Sequence, residues 1–167
     1  MLGRSKFAPG TLASLAACFL FFILLNFINF ISIFLVTLII FLYSFVAINN
    51  SFDEFNEEDP QEIVIDEVVG QMLVLLPIPI YETLYPLPSL YYFVPAFLLF
   101  RLFDIWKPYP VNYVDNNIKG SLGIMLDDIF ASIYSIIILI VIFFFLGGWA
   151  GEFTYQKVNK KFKQKEN

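Results

Sequence analysis

The sequence predicts an all-α integral membrane protein, a polytopic bundle of about four or five membrane-embedded helices. Its 167 residues are 59% hydrophobic with a mean hydropathy of +0.74, whereas soluble domains are about 45–50% apolar. No charged residue occurs from residue 7 to residue 52, a run that approaches two bilayer crossings of about 20 residues each. We expect one domain over residues 1–167, with a basic tail from about residue 155.

Composition excludes several classes of function. The formal net charge is −5, which argues against nucleic acid as a partner because phosphate backbones are bound by basic surfaces. The sequence has no histidine and a single cysteine, Cys18. It therefore lacks a Ser-His-Asp triad, an intramolecular disulfide and the residues of a His- or Cys-ligated zinc site.

The first two membrane helices are expected over residues 12–48, as a hairpin with rather short arms that breaks near residues 26–32. Pro9-Gly10 is a turn signal and Thr11 is a good N-cap, so these residues are expected to start the first helix. Alternatively, free N–H groups at this helix start face an anion. Residues 49–62 then form an acidic loop, for which a solvated surface is the simplest interpretation.

The next apolar segment, residues 63–80, carries two adjacent acids near its start, Asp66 and Glu67. Unpaired carboxylates in such a segment are costly, and a bound cation would offset that cost. Gly70 lies one helical turn beyond both acids, where the missing side chain would let a second helix or a ligand come close.

The following membrane helix, expected over residues 90–106, delivers Arg101 and Asp104 to one face of its end. Pro108 disfavours a helical conformation at the preceding residue, so the helix should stop before Lys107 and this lysine should reach into a loop. An Arg–Asp pair that neutralises a helix end explains the first two residues and leaves Lys107 unexplained.

Residues 112–123 are expected to form a polar loop whose glycines bring backbone N–H groups near a phosphate. Asp127 and Asp128 are expected to open the last helix, which spans residues 129–146 and ends at Gly147-Gly148. Acids in a first turn complement the helix dipole, but that effect is worth only about 0.3–1 kcal/mol. It is too small to explain two carboxylates at the edge of a membrane segment.

Oxygen ligands without histidine or cysteine select Mg²⁺, Mn²⁺ or Ca²⁺ rather than zinc. Mg²⁺ is commonly held by carboxylates together with substrate phosphates, and nearby bases bind phosphate oxygens. These residues therefore predict a membrane phosphohydrolase in which Mg²⁺ assists in-line attack of water on a phosphate monoester. The alternative is a small transporter or channel with an acidic cation site, but no internal repeat is evident and the acids gather at segment ends.

The chain resembles bacterial phosphatidylglycerophosphatase A. Four blocks carry the resemblance: Pro9-Gly10-Thr11 with Ser14-Leu15; Ile63 to Glu67 with Gly70; Phe100-Arg101 through Asp104 to Lys107-Pro108 and Pro110; and Gly123-Ile124-Met125 with Asp127-Asp128 and Ala131. Ala13, Ser121 and Ser132 stand where the family often has glycine.

The resemblance implies a Mg²⁺-dependent lipid phosphatase that converts phosphatidylglycerophosphate to phosphatidylglycerol. The enzyme would work in the bacterial inner membrane, with its active site facing the cytoplasm. The candidate catalytic residues are Asp66, Glu67, Asp104, Lys107, Asp127 and Asp128, and the five carboxylates among them are the candidate metal ligands. The candidate phosphate-binding residues are Arg101, Lys107, Gly10, Thr11 and Gly123.

A cytoplasmic site leaves one conflict in the topology. Five crossings would put the lysine-rich tail outside the cell, whereas Lys and Arg prefer the cytoplasmic side. A re-entrant element in the N-terminal arms or in the proline-rich middle of the chain would remove this conflict.

Overall fold

The computed structural model describes residues 9–55, 64–85 and 87–163, with side chains up to residue 50 in the first range and up to residue 145 in the last. Within these ranges all regular structure is helical, which confirms the all-α prediction. The seven helices of these ranges are α1 (Pro9–Phe27), α2 (Phe30–Phe55), α3 (Ile65–Leu75), α4 (Ile78–Leu84), α5 (Leu90–Trp106), α6 (Val111–Asn117) and α7 (Gly120–Lys163).

The N-terminal hairpin is confirmed, with a break at Ile28-Asn29 between α1 and α2. The side chain of Asn29 accepts a hydrogen bond from the N–H of Ser32 and so caps the start of α2. The arms are not short, since 19 residues of α1 and 21 of α2 are long and apolar enough to cross a membrane. Thr11 is not an N-cap, because α1 includes Pro9 and a proline fits the first helical turn.

Four candidate spans lie in the described part of the chain: α1, residues 30–50 of α2, α3 together with α4, and residues 120–145 of α7. Helix α5 has only 17 residues, yet it packs lengthwise against α3 and α7. The bundle thus has four or five membrane-embedded helices, as predicted. Its core is apolar, and Phe21, Met72, Phe100 and Leu139 are among the buried side chains that α1, α3, α5 and α7 bring together.

The C-terminal third differs most from the prediction. Part of the expected polar loop is the short helix α6, and α7 begins at Gly120, so Asp127 and Asp128 lie in its third turn rather than its first. Helix α7 does not end at Gly147-Gly148 either, but continues to Lys163. At 1.5 Å per residue its 44 residues extend over about 66 Å.

Packing shows which helix ends meet. Ile48 near the end of α2 packs with Val69 of α3 and Met125 of α7, whereas Tyr81 of α4 and Tyr92 of α5 stack on Phe143 of α7. One end of the bundle, the polar end, thus gathers the end of α2, the starts of α3 and α7, and the end of α5. The part of α7 around Phe143 lies at the opposite end of the bundle.

Three helices approach one another closely at Gly70. A Cβ atom there would lie 2.6 Å from Cζ of Phe100 in α5 and 3.3 Å from Cβ of Asp128 in α7. Ser132 of α7 donates a hydrogen bond of 2.8 Å to the Gly70 carbonyl. The prediction that Gly70 admits a second helix is confirmed, and this contact brings the acids of α3 next to those of α7.

We expect Gly70→Ala to lower the free energy of unfolding by about 1–3 kcal/mol, because the new methyl group overlaps the Phe100 ring and forces the helices apart. Thermal unfolding of the detergent-purified protein measures the change. The double variant Gly70→Ala/Phe100→Leu removes the atoms that clash and should regain part of the loss. A Gly70→Ala protein as stable as the wild type would contradict this account of the packing.

Candidate active site

Glu67 lies against the first turn of α1. A Cβ atom on Gly10 would overlap Oε1 of Glu67 and would lie 3.2 Å from Nη1 of Arg101. Gly10 is therefore the position where missing side-chain atoms make room for a carboxylate and a guanidinium. The sequence left open whether this start of α1 faces an anion, and the side chain that lies beside it is that of Glu67.

Arg101 and Asp104 form the ion pair expected from their spacing, with Nη1 of Arg101 2.5 Å from Oδ2 of Asp104. Both side chains are largely buried, at 14% exposure each. The pair does not satisfy the whole guanidinium, because Nε of Arg101 is buried without a hydrogen-bond partner. This donor remains able to bind another oxygen ligand.

Lys107 follows α5 in a left-handed conformation with φ of 45°, and its N–H still bonds to the carbonyl of Phe103. The helix stops where Pro108 predicted. The Lys107 ammonium lies 2.6 Å from Oδ1 of Asp115 and 2.7 Å from Oδ2 of Asp127. Burial lowers the pKa of Lys107, but hydrogen bonds and charge attraction from the two carboxylates outweigh it and hold the pKa above its usual range. Lys107 is therefore a cation at neutral pH.

Asp127 and Asp128 are both buried, at 8% and 3% exposure. Asp127 uses one oxygen for Lys107 and the other, Oδ1, for the N–H of Asp128 at 2.9 Å. Asp128 points toward α3, since its Cβ adjoins Gly70. The two neighbouring acids therefore have different surroundings, one paired with a base and one facing other acids.

Three carboxylates of this site keep a buried oxygen without a hydrogen-bond partner: Oδ1 of Asp66, Oε2 of Glu67 and Oδ2 of Asp128. The negative charges of Asp66, Asp104, Asp127 and Glu67 all act on Asp128. Concentrating like charges in a buried region costs several kcal/mol unless a cation compensates. The residues thus fit a hard divalent cation in donor type and in free donor atoms.

The side chains are not arranged around an ion position. Among the described residues, no three of the carboxylates converge as a set of metal ligands. Asp104 and Asp127 are turned toward Arg101 and Lys107, so for them to join Asp66, Glu67 and Asp128 around one ion these side chains would have to rotate.

The remaining predicted residues also lie at the polar end, with less direct roles. The Glu67 side chain occupies the space beside Gly10, and Thr11 is the next residue of α1. Gly123 does not form a phosphate loop, since it is buried within α7 where a Cβ would overlap the carbonyl oxygen of Ile118. Asp115 was not among the predicted site residues; its only signal in the sequence is its place among the charged residues between positions 101 and 130.

The fold and this cluster define a helical membrane protein with a carboxylate-rich polar site at one end of its bundle. The model of the family phosphatidylglycerophosphatase A matches residues 1–160. The chain therefore belongs to this family, and it is a phosphatase. Family membership favours the phosphatase over the transporter as the interpretation of its acids.

Two curated relatives support this membership, and a third similar protein carries a different name. The chain is 37% identical over 135 residues to phosphatidylglycerophosphatase A of Haemophilus influenzae, covering 81% of this chain and 78% of the relative. It is 31% identical over 133 residues to that of Escherichia coli, covering 80% and 73%. A protein of Bacteroides thetaiotaomicron with the provisional name phosphatidylinositol-3-phosphatase is 35% identical over 142 residues, covering 83% and 86%. No solved structure matches the chain.

Gly10→Ala is expected to lower kcat/KM for a lipid phosphate about 10- to 100-fold, because its methyl group displaces the Glu67 carboxylate and misplacement of a reacting group by about 1 Å has effects of this size. Thermal stability should change little, since a side-chain end moves rather than backbone. Adding Glu67→Asp, which withdraws the carboxylate, should restore part of the activity.

The matched control for this prediction is Ser14→Ala. Ser14 lies one turn further along α1, and its hydroxyl bonds to the carbonyl of Gly10 within the same helix. This variant should keep wild-type kinetics. Full activity of Gly10→Ala would show that the position of Glu67 does not matter for the reaction.

Proposed function

We propose that this protein is a Mg²⁺-dependent phosphatase that hydrolyses the terminal phosphate of phosphatidylglycerophosphate and releases phosphatidylglycerol and inorganic phosphate. Membership of the family supports the substrate. The observation that carries the metal dependence is the set of unpartnered carboxylate oxygens of Asp66, Glu67 and Asp128 beside the unsatisfied guanidinium of Arg101. A divalent cation would compensate the negative charge of the carboxylates, and a phosphate would compensate the positive charge of the guanidinium.

The phosphate would be bound by the two bases of the site. Arg101 offers the buried Nε donor, which has no hydrogen-bond partner. An ammonium group has three N–H donors, and Lys107 uses two of them for Asp115 and Asp127. Its third donor can reach a phosphate oxygen and stabilise the charge that develops there during transfer.

Hydrolysis forms a bond between phosphorus and the oxygen of water and breaks the bond between phosphorus and the lipid oxygen. A carboxylate must take the proton of the attacking water, and the departing lipid alkoxide must receive one. Asp66, Glu67 and Asp128 each have a free oxygen for the first task. The same three residues, together with Asp104 and Asp127, would hold Mg²⁺. The bound ion would supply positive charge to offset that of the carboxylates and the phosphate.

Phosphate release from phosphatidylglycerophosphate by the detergent-purified protein tests the proposal. We expect turnover in Mg²⁺ and loss of turnover in EDTA that added Mg²⁺ reverses. Phosphatidylinositol 3-phosphate, the lipid in the name of the Bacteroides relative, should be hydrolysed at least about 10-fold less efficiently, which corresponds to about 1.4 kcal/mol of discrimination. A reversed preference would reject the proposed substrate, and equal release in EDTA would reject the metal.

Asp128→Asn should lower kcat about 100-fold or more, because a metal ligand is lost, and should also change stability in a diagnostic way. Removing one charge from mutually repelling acids should raise the unfolding temperature in EDTA. Mg²⁺ should raise the unfolding temperature of the wild type through binding and have little effect on the variant.

Glu82→Gln is the matched control for this variant. Glu82 in α4 also has a buried oxygen without a hydrogen-bond partner, but α4 packs at the opposite end of the bundle. This variant should keep its activity and its stabilisation by Mg²⁺. If Mg²⁺ stabilises Asp128→Asn as strongly as the wild type, Asp128 is not a ligand of the metal.

The proposal places the protein in the bacterial inner membrane with the polar end facing the cytoplasm. The resemblance to the family supports this orientation, whereas the lysines in the last part of α7 weigh against it under the positive-inside tendency. A site in the cytoplasm requires the C-terminus of α7 in the periplasm. An alkaline phosphatase reporter fused to the C-terminus should then be active. Fluorescence from a green fluorescent protein fused there would instead place the C-terminus in the cytoplasm and reject the proposed orientation.

A further inference from the structure

The ammonium of Lys107 is shared between two carboxylates from different helices. Asp127 of α7 belongs to the site already described, whereas Asp115 of α6 has no role in the proposed reaction. Both contacts are short, 2.6 Å to Asp115 and 2.7 Å to Asp127. Asp115 therefore contacts the Lys107 ammonium as closely as Asp127 does.

The backbone alone does not set the direction of the Lys107 side chain. Lys107 lies just beyond α5 in a left-handed conformation, which L-residues other than glycine seldom adopt. Its side chain has four rotatable bonds, and a lysine ammonium is a mobile point charge rather than a planar fork. Its position at the site therefore depends on the groups that hold its end.

Helix α6 gives Asp115 a fixed base. Val111 and Val114 are buried, and α6 packs along α7. The side chain of Asp115 is 35% exposed, and that of Asp127 only 11%. Asp115 thus holds the lysine from the outer edge of the site, and Asp127 holds it from inside.

The position of Lys107 also affects Asp127. Asp127 has both oxygens engaged, one by Lys107 and one by the N–H of Asp128. If the lysine moved away, Asp127 would lose a partner while buried among other acids that repel it. Holding Lys107 in place therefore keeps its ammonium paired with the carboxylate of Asp127.

We propose that Asp115 is a positioning residue of the phosphatase: from α6 it holds the Lys107 ammonium beside Asp127 so that the third N–H of the lysine faces the phosphate. This inference rests on the proposed function for its kinetic consequences. Asp115 does not touch the reacting atoms, and its effect passes entirely through Lys107.

Asp115→Asn keeps the size of the side chain and removes its charge. With phosphatidylglycerophosphate as substrate, we expect kcat to fall about 10-fold while KM changes less than about 2-fold, because Arg101 still binds the phosphate and only the alignment of Lys107 is lost. Asp115→Glu, which retains the carboxylate, should recover most of kcat. Asn117→Ala is the matched control, since its amide bonds to the Tyr113 carbonyl within α6, and it should keep wild-type kinetics.

A double-mutant cycle distinguishes positioning from a purely structural role. In a Lys107→Met background, Asp115→Asn should lower kcat less than about 2-fold further, since there is no ammonium left to hold. A further 10-fold loss of kcat in the Lys107→Met background would overturn the proposal. So would a wild-type kcat for Asp115→Asn in the protein that keeps Lys107.

If the wild-type protein does not hydrolyse phosphatidylglycerophosphate, the proposed function fails, but the positioning role remains testable. The same four proteins are then compared by thermal unfolding. The contact between the two side chains is supported if the double variant changes the unfolding temperature by less than the sum of the changes in Asp115→Asn and Lys107→Met. Additive effects overturn it.

Discussion

Repulsion among buried carboxylates is the constraint on which the polar end of this bundle depends. Asp66 and Glu67 of α3, Asp104 of α5, and Asp127 and Asp128 of α7 lie close enough for their negative charges to act on one another. Apolar packing alone would not place these residues together, because each loses hydration there. Opposite charge, from the protein or from a bound cation, would offset this cost.

Small residues allow the packing that holds these charges together. Gly70 lets Phe100 and Asp128 approach α3, and Gly10 leaves the space that the Glu67 carboxylate fills. Ser132 then links α7 to α3 through the carbonyl of Gly70, while also bonding to the carbonyl of Asp128. Close backbone approach thus provides structural support for the acids, independent of any ligand.

Residue patterns predicted the features that depend on local chemistry. The hairpin break at Asn29, the end of α5 before Lys107-Pro108 and the close approach at Gly70 follow from capping, proline sterics and a missing side chain. The pairing of Arg101 with Asp104 follows from their spacing on a helix. In each case the signal lies within one turn of the residue that it concerns.

Predictions failed where distant contacts override local preference. Residues 112–117 are polar and suggest a loop, but Val111 and Val114 are buried in the packing of α6 on α7 and support a helix there. Asn116 and Asn117 direct their amides to carbonyls of the same helix. The bond between Lys107 and Asp115 is another such contact, because it joins side chains whose helices meet only in the folded protein.

The start of α7 at Gly120 changes the electrostatic argument for Asp127 and Asp128. The favourable interaction of acids with a helix dipole falls off within the first turn, and these residues lie in the third turn. The dipole therefore offsets little of their charge. Lys107 compensates Asp127 directly, whereas Asp128 faces acids and keeps an oxygen without a hydrogen-bond partner. Of the two, Asp128 is accordingly the residue whose charge a bound cation would offset more, and metal binding at Asp128 would be coupled to stability.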